Sequence, residues 1–401
     1  MRKLVFWPFE NSERGGARFF QALKDGVVPV LISPGIPQEK LTALQREYSG
    51  EADARIFFVL LTSGSTGKPK LIAATREAVE KGVQAIHAAQ GLEEIHSTAV
   101  LLPLSYSYAL INQLFWSVHF KRKLIFPPGL ASPADSLEMI RQTKAEMLCL
   151  IASQVQALQN LGFDEEDALP DVKVVNFAGA PFPVKNFEYL KKIFPRARFF
   201  NNYGCTEALP RLTVCEVKSA AHPVSCVGAP IQGIELRISE ESDPGPVEFC
   251  GPSVSIGEVR PDGSIKEHRG WIRSGDIGQV KEGVLHVFGR YDQVINVRGE
   301  RISLMEIENF LTTLPEIEHT TAWAETLDNG DQLPMVVLNG RRPPSEEEIR
   351  GILTRSLVKN AWPSQLFWAE KWFFTPNGKT DRALLRHMAL KGELKLIWRQ
   401  L

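Results

Sequence analysis

Little in this chain of 401 residues leans to an extreme, and each shortage excludes a class of protein. Cysteine is scarce: the five residues, Cys149, Cys205, Cys215, Cys226 and Cys250, are odd in number and include no Cys-x-x-Cys pair. That usage argues against a disulfide framework or a zinc knuckle and points to a reducing cytoplasm. Neither sign of charge dominates, since 46 Lys and Arg stand against 47 Asp and Glu. No long-range field therefore draws the chain to nucleic acid or to an anionic membrane surface. Apolar runs are too short to span a bilayer, and the first is broken by Pro8, Glu10 and Asn11, too early for a signal peptide. What is present is the balance of an ordinary soluble globular protein, 44% hydrophobic and 23% charged, with chain enough for two or three compact units.

Along the chain the texture changes twice. Residues 16–32 read as a helix, a glycine stop at Gly26 and a strand ending at Ile32. Strands over 55–62, 98–102, 122–126, 147–151 and 172–177 then alternate with helices over 76–90, 108–119, 134–146 and 153–161. Such alternation predicts α/β layers with largely parallel pairing. From about residue 212 the apolar runs shorten between Gly, Pro and Asp, which predicts antiparallel hairpins. After Arg290 the pattern predicts helices over 303–313 and 345–358, strands over 318–325 and 334–339, and a helical stretch over 381–399. The expected fold class is α/β: a large N-terminal domain of layered α/β subdomains over 1–291, β-rich from about 212, and a small α+β C-terminal domain over 293–401.

The most informative segment is Leu61-Thr62-Ser63-Gly64-Ser65-Thr66-Gly67-Lys68-Pro69-Lys70, directly after an apolar strand. Small residues let backbone N–H groups and hydroxyls approach a polyphosphate closely, and the lysines supply countercharge. It is not a Walker A loop, because Gly64 and Gly67 are too closely spaced and Pro69 follows the lysine where that pattern needs Ser or Thr and a helix. Taken alone, such a cluster is an ordinary polar turn. It does not stand alone. Downstream come Asn201-Asn202-Tyr203-Gly204-Cys205-Thr206-Glu207, Trp271-Ile272-Arg273-Ser274-Gly275-Asp276, Gly289-Arg290-Tyr291-Asp292 and Pro376-Asn377-Gly378-Lys379.

Letters and order together resemble the signatures of the adenylate-forming superfamily of acyl-CoA synthetases, adenylation domains and luciferases. The resemblance implies an AMP-forming ligase that joins a carboxylic acid to ATP as acyl-AMP and then to CoA or a carrier-protein phosphopantetheine. It assigns phosphate binding to Thr62–Lys68, and an adenine site to Tyr203 with Gly179, Ala180 and Pro181 as the other wall. Asn202 and Gly204 flank that tyrosine. It further implies α-phosphate contact by Thr206, a Mg²⁺ ligand in Glu207, and ribose contacts by Asp276 and Arg290. Lys379 is implied as the catalytic lysine of adenylation, acting by charge stabilisation. Asp292 matches the hinge about which a mobile C-terminal domain rotates, bringing Arg298 and Gly299 to a thiol channel.

The chain also departs from that family. Only about sixty residues precede the phosphate loop, so the first subdomain is cut down and the chain is similar in size to short o-succinylbenzoate-CoA ligases. That trimming leaves surface for a carrier protein or for a second copy of the chain. Tyr106 stands where many acyl-CoA synthetases carry histidine, so the resemblance does not extend to a specific o-succinylbenzoate assignment. No Asp lies between Pro103 and Gln113 to pair with a substrate ammonium, which disfavours α-amino acids. Tyr106, Ser107, Tyr108, Ala152, Ser153 and Ala178 are the expected acid pocket, and its aromatics lean towards an aryl or modest-sized acid. Two other readings keep the same motifs: a non-catalytic binder of AMP or an acyl-adenylate, and a luciferase-like oxidase.

Overall fold

The computed structural model of the chain describes residues 2–62, 69–129, 132–239, 244–297, 300–312, 314, 316–326, 332–356, 361–375 and 380–400. It divides into two compact units, the first comprising Met1–Ser239, Val247–Ser274 and Val280–His286, the second Glu240–Pro246, Gly275–Gln279 and Val287–Leu401.

In the first unit, the strands Leu4–Pro8, Val28–Ile32 and Phe58–Thr62 pair in parallel. Antiparallel strands Lys70–Ala74, Gly257–Val259 and Ile265–Glu267 complete that sheet. A second sheet carries the parallel strands Lys123–Ile125, Ser97–Ala99, Met147–Leu150, Val174–Phe177 and Arg198–Tyr203, in that spatial order. It continues antiparallel through Thr213–Val217 and Cys226–Pro230. The middle parallel strands are buried along their whole length, as the near-continuous apolar run Met147–Leu150 anticipates.

Helix Arg76–Gln90 starts on the Thr75 side chain, which accepts from the Ala78 N–H, and stops on the left-handed Gly91. Its apolar face, with Val79, Val83 and Ile86, packs into the core around Phe58, Phe115 and Trp116. The segment expected as a helix over 108–119 is one, with a π-helical stretch at Leu110–Phe115 inside it. A wider turn of that kind often marks a functional site.

The second unit holds a hairpin of Val294–Val297 with Glu300–Ser303 and a four-stranded sheet ordered Ile317–Thr326, Gln332–Gly340, Gln365–Trp368 and Lys395–Arg399. Helices Leu304–Thr312, Glu346–Ser356 and Arg382–Leu390 accompany it. The expected helical stretch over 381–399 is corrected here: the helix ends at Leu390, Gly392 turns the chain at φ 73°, and Lys395–Arg399 pairs with Gln365–Trp368 as an edge strand. Burial of Trp398 in the core decides the outcome over the local helical pattern. No helix among the described residues is long and apolar enough to cross a membrane.

Candidate active site

Adjacent parallel strands end on the same edge of their sheet, and in open α/β sheets that carboxyl edge is where ligands bind. Four of the singled-out segments lie there. Ser97–Ala99 leads towards Pro103–Tyr108; Met147–Leu150 leads to Ala152 and Ser153 at the start of a helix. Val174–Phe177 leads to Ala178, Gly179, Ala180 and Pro181, and Arg198–Tyr203 to Gly204 and the turn Thr206–Ala208. Ladder pairs Ala99↔Leu148, Leu150↔Phe177 and Phe177↔Asn201 keep these strand ends level.

Packing sets the pose of each segment. Phe182 is 2% exposed and meets Phe177 edge-on at 4.9 Å, which anchors the turn that leaves Gly179 and Ala180 exposed. A Cβ on Gly204 would lie 1.9 Å from the Pro210 carbonyl oxygen, so only glycine lets the chain fold back after Tyr203. Tyr203, Thr206 and Glu207 are half-buried, and the Glu207 carbonyl accepts from the Ser255 N–H at 2.8 Å. Nearby His268 is lowered below its usual value mainly by burial, with the Glu207 carboxylate acting the other way.

Tyr106, Ser107 and Tyr108 are half-buried as whole residues, as are Ala152, Ser153 and Ala178. Burial pushes the Tyr106 phenol up to about 12. The Tyr108 hydroxyl is buried, and that burial pushes its phenol well above the ordinary value. Both phenols are therefore neutral at physiological pH and shape the site as aromatic surface rather than as charge.

Behind the strand ends runs a buried polar network that the motif reading missed. Gln90 donates to Asn176 Oδ1 at 2.5 Å, Asn202 donates to the same oxygen at 2.8 Å, and Arg211 donates to Asn202 Oδ1 and, at 2.7 Å, to Asn112 Oδ1. Asn112 in turn donates to the Tyr108 carbonyl at 2.7 Å. Arg211 is 2% exposed, and desolvation lowers its guanidinium to about 10, still charged at neutral pH. Asn202, singled out beside the adenine-type tyrosine, is a buried member of this network. The one available signal was an arginine inside the apolar run Leu209-Pro210-Arg211-Leu212.

In the second unit Asp276 is 9% exposed and accepts from Arg290 Nη1 at 3.3 Å, which brings the two expected ribose contacts together. A Cβ on Gly275, at φ 82°, would come within 2.8 Å of the same guanidinium, so the glycine leaves room for this pair. Asp292 lies in the single turn Tyr291–Gln293, with its side chain outside the described residues. Ser63, Gly64, Ser65, Thr66, Gly67, Lys68, Arg298, Gly299 and Lys379 also lie outside them. On either side of the first of these runs, Thr62 and Lys70 are ladder partners in antiparallel strands, so a strand follows the Gly/Ser/Thr segment where a Walker A loop would need a helix. Phe374 and Thr380, flanking 376–379, form an isolated antiparallel bridge.

Residues 19–263 match the model of the AMP-binding enzyme family. The 2-succinylbenzoate–CoA ligase of Bacillus pumilus (strain SAFR-032) is 24% identical over 379 residues, covering 90% of this chain and 75% of the relative. The D-alanine–D-alanyl carrier protein ligase of Bacillus cytotoxicus is 25% identical over 364 residues, 83% of this chain and 71% of the relative. Among solved structures, the o-succinylbenzoate CoA synthetase of Bacillus subtilis in complex with the acyl-adenylate intermediate OSB-AMP shares the fold with a TM-score of 0.82 at 20% identity, over 96% of this chain and 89% of that one. The chain belongs to the AMP-binding enzyme family. Within it, the chain is an enzyme of the AMP-forming acid–thiol ligase class.

Proposed function

We propose that this enzyme activates an aryl or modest-sized carboxylic acid, not an α-amino acid, with ATP and Mg²⁺, and passes the acyl group to the thiol of CoA or of a carrier-protein phosphopantetheine. The observation that carries the reading is the gathering of four singled-out segments at the carboxyl ends of neighbouring parallel strands. A carboxylate oxygen attacks the α-phosphorus and pyrophosphate leaves; the thiol sulfur then attacks the acyl carbon, AMP leaves and the thiol proton is released.

In this reading adenine lies between Tyr203 and the Gly179–Pro181 turn, with the Asn202 network bracing that strand from behind. Thr206 holds the α-phosphate, Asp276 and Arg290 hold the ribose, and Thr62–Lys68 holds the outgoing phosphates. The oxygen donors of Thr206 and Glu207 suit Mg²⁺, which when bound neutralises phosphate charge. Lys379 stabilises the reacting carboxylate and α-phosphate. Rotation of a C-terminal domain about Asp292 would then bring Arg298 and Gly299 to the incoming thiol. The acid sits against Tyr106, Ser107, Tyr108, Ala152, Ser153 and Ala178, a neutral lining with no carboxylate to meet an ammonium. Relatives named for a CoA ligase and for a carrier-protein ligase support both acceptors.

The test is pyrophosphate release with ATP and Mg²⁺ across aryl, short-chain, long-chain and amino acids, with and without CoA. Release with an aryl or short acid, and thioester on adding CoA or a carrier protein, is expected. Silence across the panel despite ATP binding would leave a non-catalytic binder, and oxygen uptake or light without thioester an oxidase.

A further inference from the structure

We propose that Cys215, His222 and Cys226 form a binding site for a divalent metal ion of borderline-soft character, Zn²⁺ by ligand chemistry, on the antiparallel pair Thr213–Val217 and Cys226–Pro230. Among the described residues these three side chains have ligand atoms all within 4.8 Å of one another. The two sulfurs are 3.8 Å apart. Two thiolates on one tetrahedral zinc, each at about 2.3 Å, lie ~3.8 Å from each other. The sulfurs therefore already have the separation that the ion requires.

The surrounding backbone holds that geometry. Cys215 is the ladder partner of Asn201, whose side-chain amide donates to the Cys226 carbonyl at 2.9 Å, so one residue ties both sulfur-bearing strands. His222 reaches back from the connection between them, its Nε2 3.1 Å from the same carbonyl. The tautomer that donates from Nε2 to that oxygen leaves the Nδ1 lone pair for a metal, a carbonyl partner of the kind that orients metal-ligating imidazoles. On the other flank Cys226 is the ladder partner of His286, whose Nδ1 lies 3.2 Å from Ser225 Oγ. Two sulfurs and an imidazole select zinc-like ions over magnesium or calcium. Three protein ligands leave a fourth position for water.

Burial and then the neighbouring Cys226 push the Cys215 thiol up to about 12. A cysteine binds a metal as its thiolate, so metal entry at Cys215 releases a proton. The site pins the strand beside Arg198–Tyr203, so its ion would stabilise the fold behind Tyr203 without touching the reacting atoms.

The test uses the full chain, reduced and stripped of metal, titrated with Co²⁺ in excess Mg²⁺, which occupies oxygen-lined sites. Expected are a thiolate-to-cobalt charge-transfer band saturating at one ion per chain, proton release that rises with bound ion, and bleaching by Zn²⁺. The double variant Cys215→Ser/Cys226→Ser should lose the band, Cys250→Ser should keep it, and His222→Ala should weaken Co²⁺ binding by at least ~10-fold. Absence of the band in the unaltered chain, its survival in the double variant, or a Cys215–Cys226 disulfide that persists under reductant overturns the proposal. Should the double variant not fold, His222→Ala decides: unchanged Co²⁺ affinity rejects the site.

Discussion

In the first unit, strands Ser97–Ala99 to Arg198–Tyr203 all run one way, and the chain leaves each at the same edge. In the second unit the four-stranded sheet is mixed, with Ile317–Thr326 antiparallel and Gln365–Trp368 parallel to Gln332–Gly340. The parallel arrangement gathers loops from distant parts of the sequence at one edge, and behind that edge it buries polar side chains that answer one another. The mixed sheet gathers no such edge. On the neighbouring helix Leu304–Thr312 the buried carboxylate of Glu308 is answered by Arg382 and by the Ala322 N–H at 2.7 Å, contacts that hold helix to strand. The first unit thus buries charge behind a row of strand ends, whereas the second buries it between a helix and a strand.

The largest expected break comes from one lysine of the second unit. Lys379→Ala should lower acyl-AMP formation by about 10²–10³-fold while leaving thiolation of supplied acyl-AMP nearly intact. Separate pyrophosphate-release and thioester assays check this, and equal loss in both would remove the assigned role. Next, Arg211→Met strikes the first unit's network, leaving acceptors on Asn202 and Asn112 without their donor. A loss of about 3 kcal/mol is expected in urea unfolding, together with a raised KM for ATP. A loss of stability with KM unchanged would make the network purely structural.

Arg382→Ala is the matching cut in the second unit. It removes a guanidinium that donates to Glu308 Oε2 at 2.7 Å, and about 2 kcal/mol should go, with ATP binding spared. The smallest effect is a pH dependence in the first unit. His87 accepts at Nδ1 from Trp116 at 3.2 Å and stacks on Phe120 at 3.8 Å, and burial holds it below the ordinary 6.5. A falling pH protonates the unfolded chain first. Stability is therefore complete above about pH 6.5 and declines as pH falls through the lower folded value. Unfolding curves between pH 7.5 and 5 should show that slope, and His87→Asn should flatten it.

The α/β class and the family were legible because both are written locally. Periodicities of two and 3.6 distinguish strand from helix, and small-residue motifs keep their order whatever the loops between them do. Where local pattern misled, a long-range contact had won. The tail after Gly392 has helical letters, yet Trp398 enters the core and Lys395–Arg399 finds a strand to pair with. Arg211 carries no motif, and its two amide acceptors lie at Asn202 and Asn112, the latter 99 residues away in sequence.

Order and spacing along the chain were enough to establish the alternating architecture, the neutral charge balance, the family and the residues to watch. They could not establish which polar side chains would be buried together, because Gln90, Asn112, Asn176, Asn202 and Arg211 meet only once helices and strands are packed. Nor could they reveal the sulfur pair. Cys215 and Cys226 lack any metal-binding spacing in the sequence, and only the pairing of their two strands brings the sulfurs to 3.8 Å. Local chemistry is encoded by neighbours along the chain, whereas a site made across strands is encoded by register, which hydrogen bonding and burial decide together.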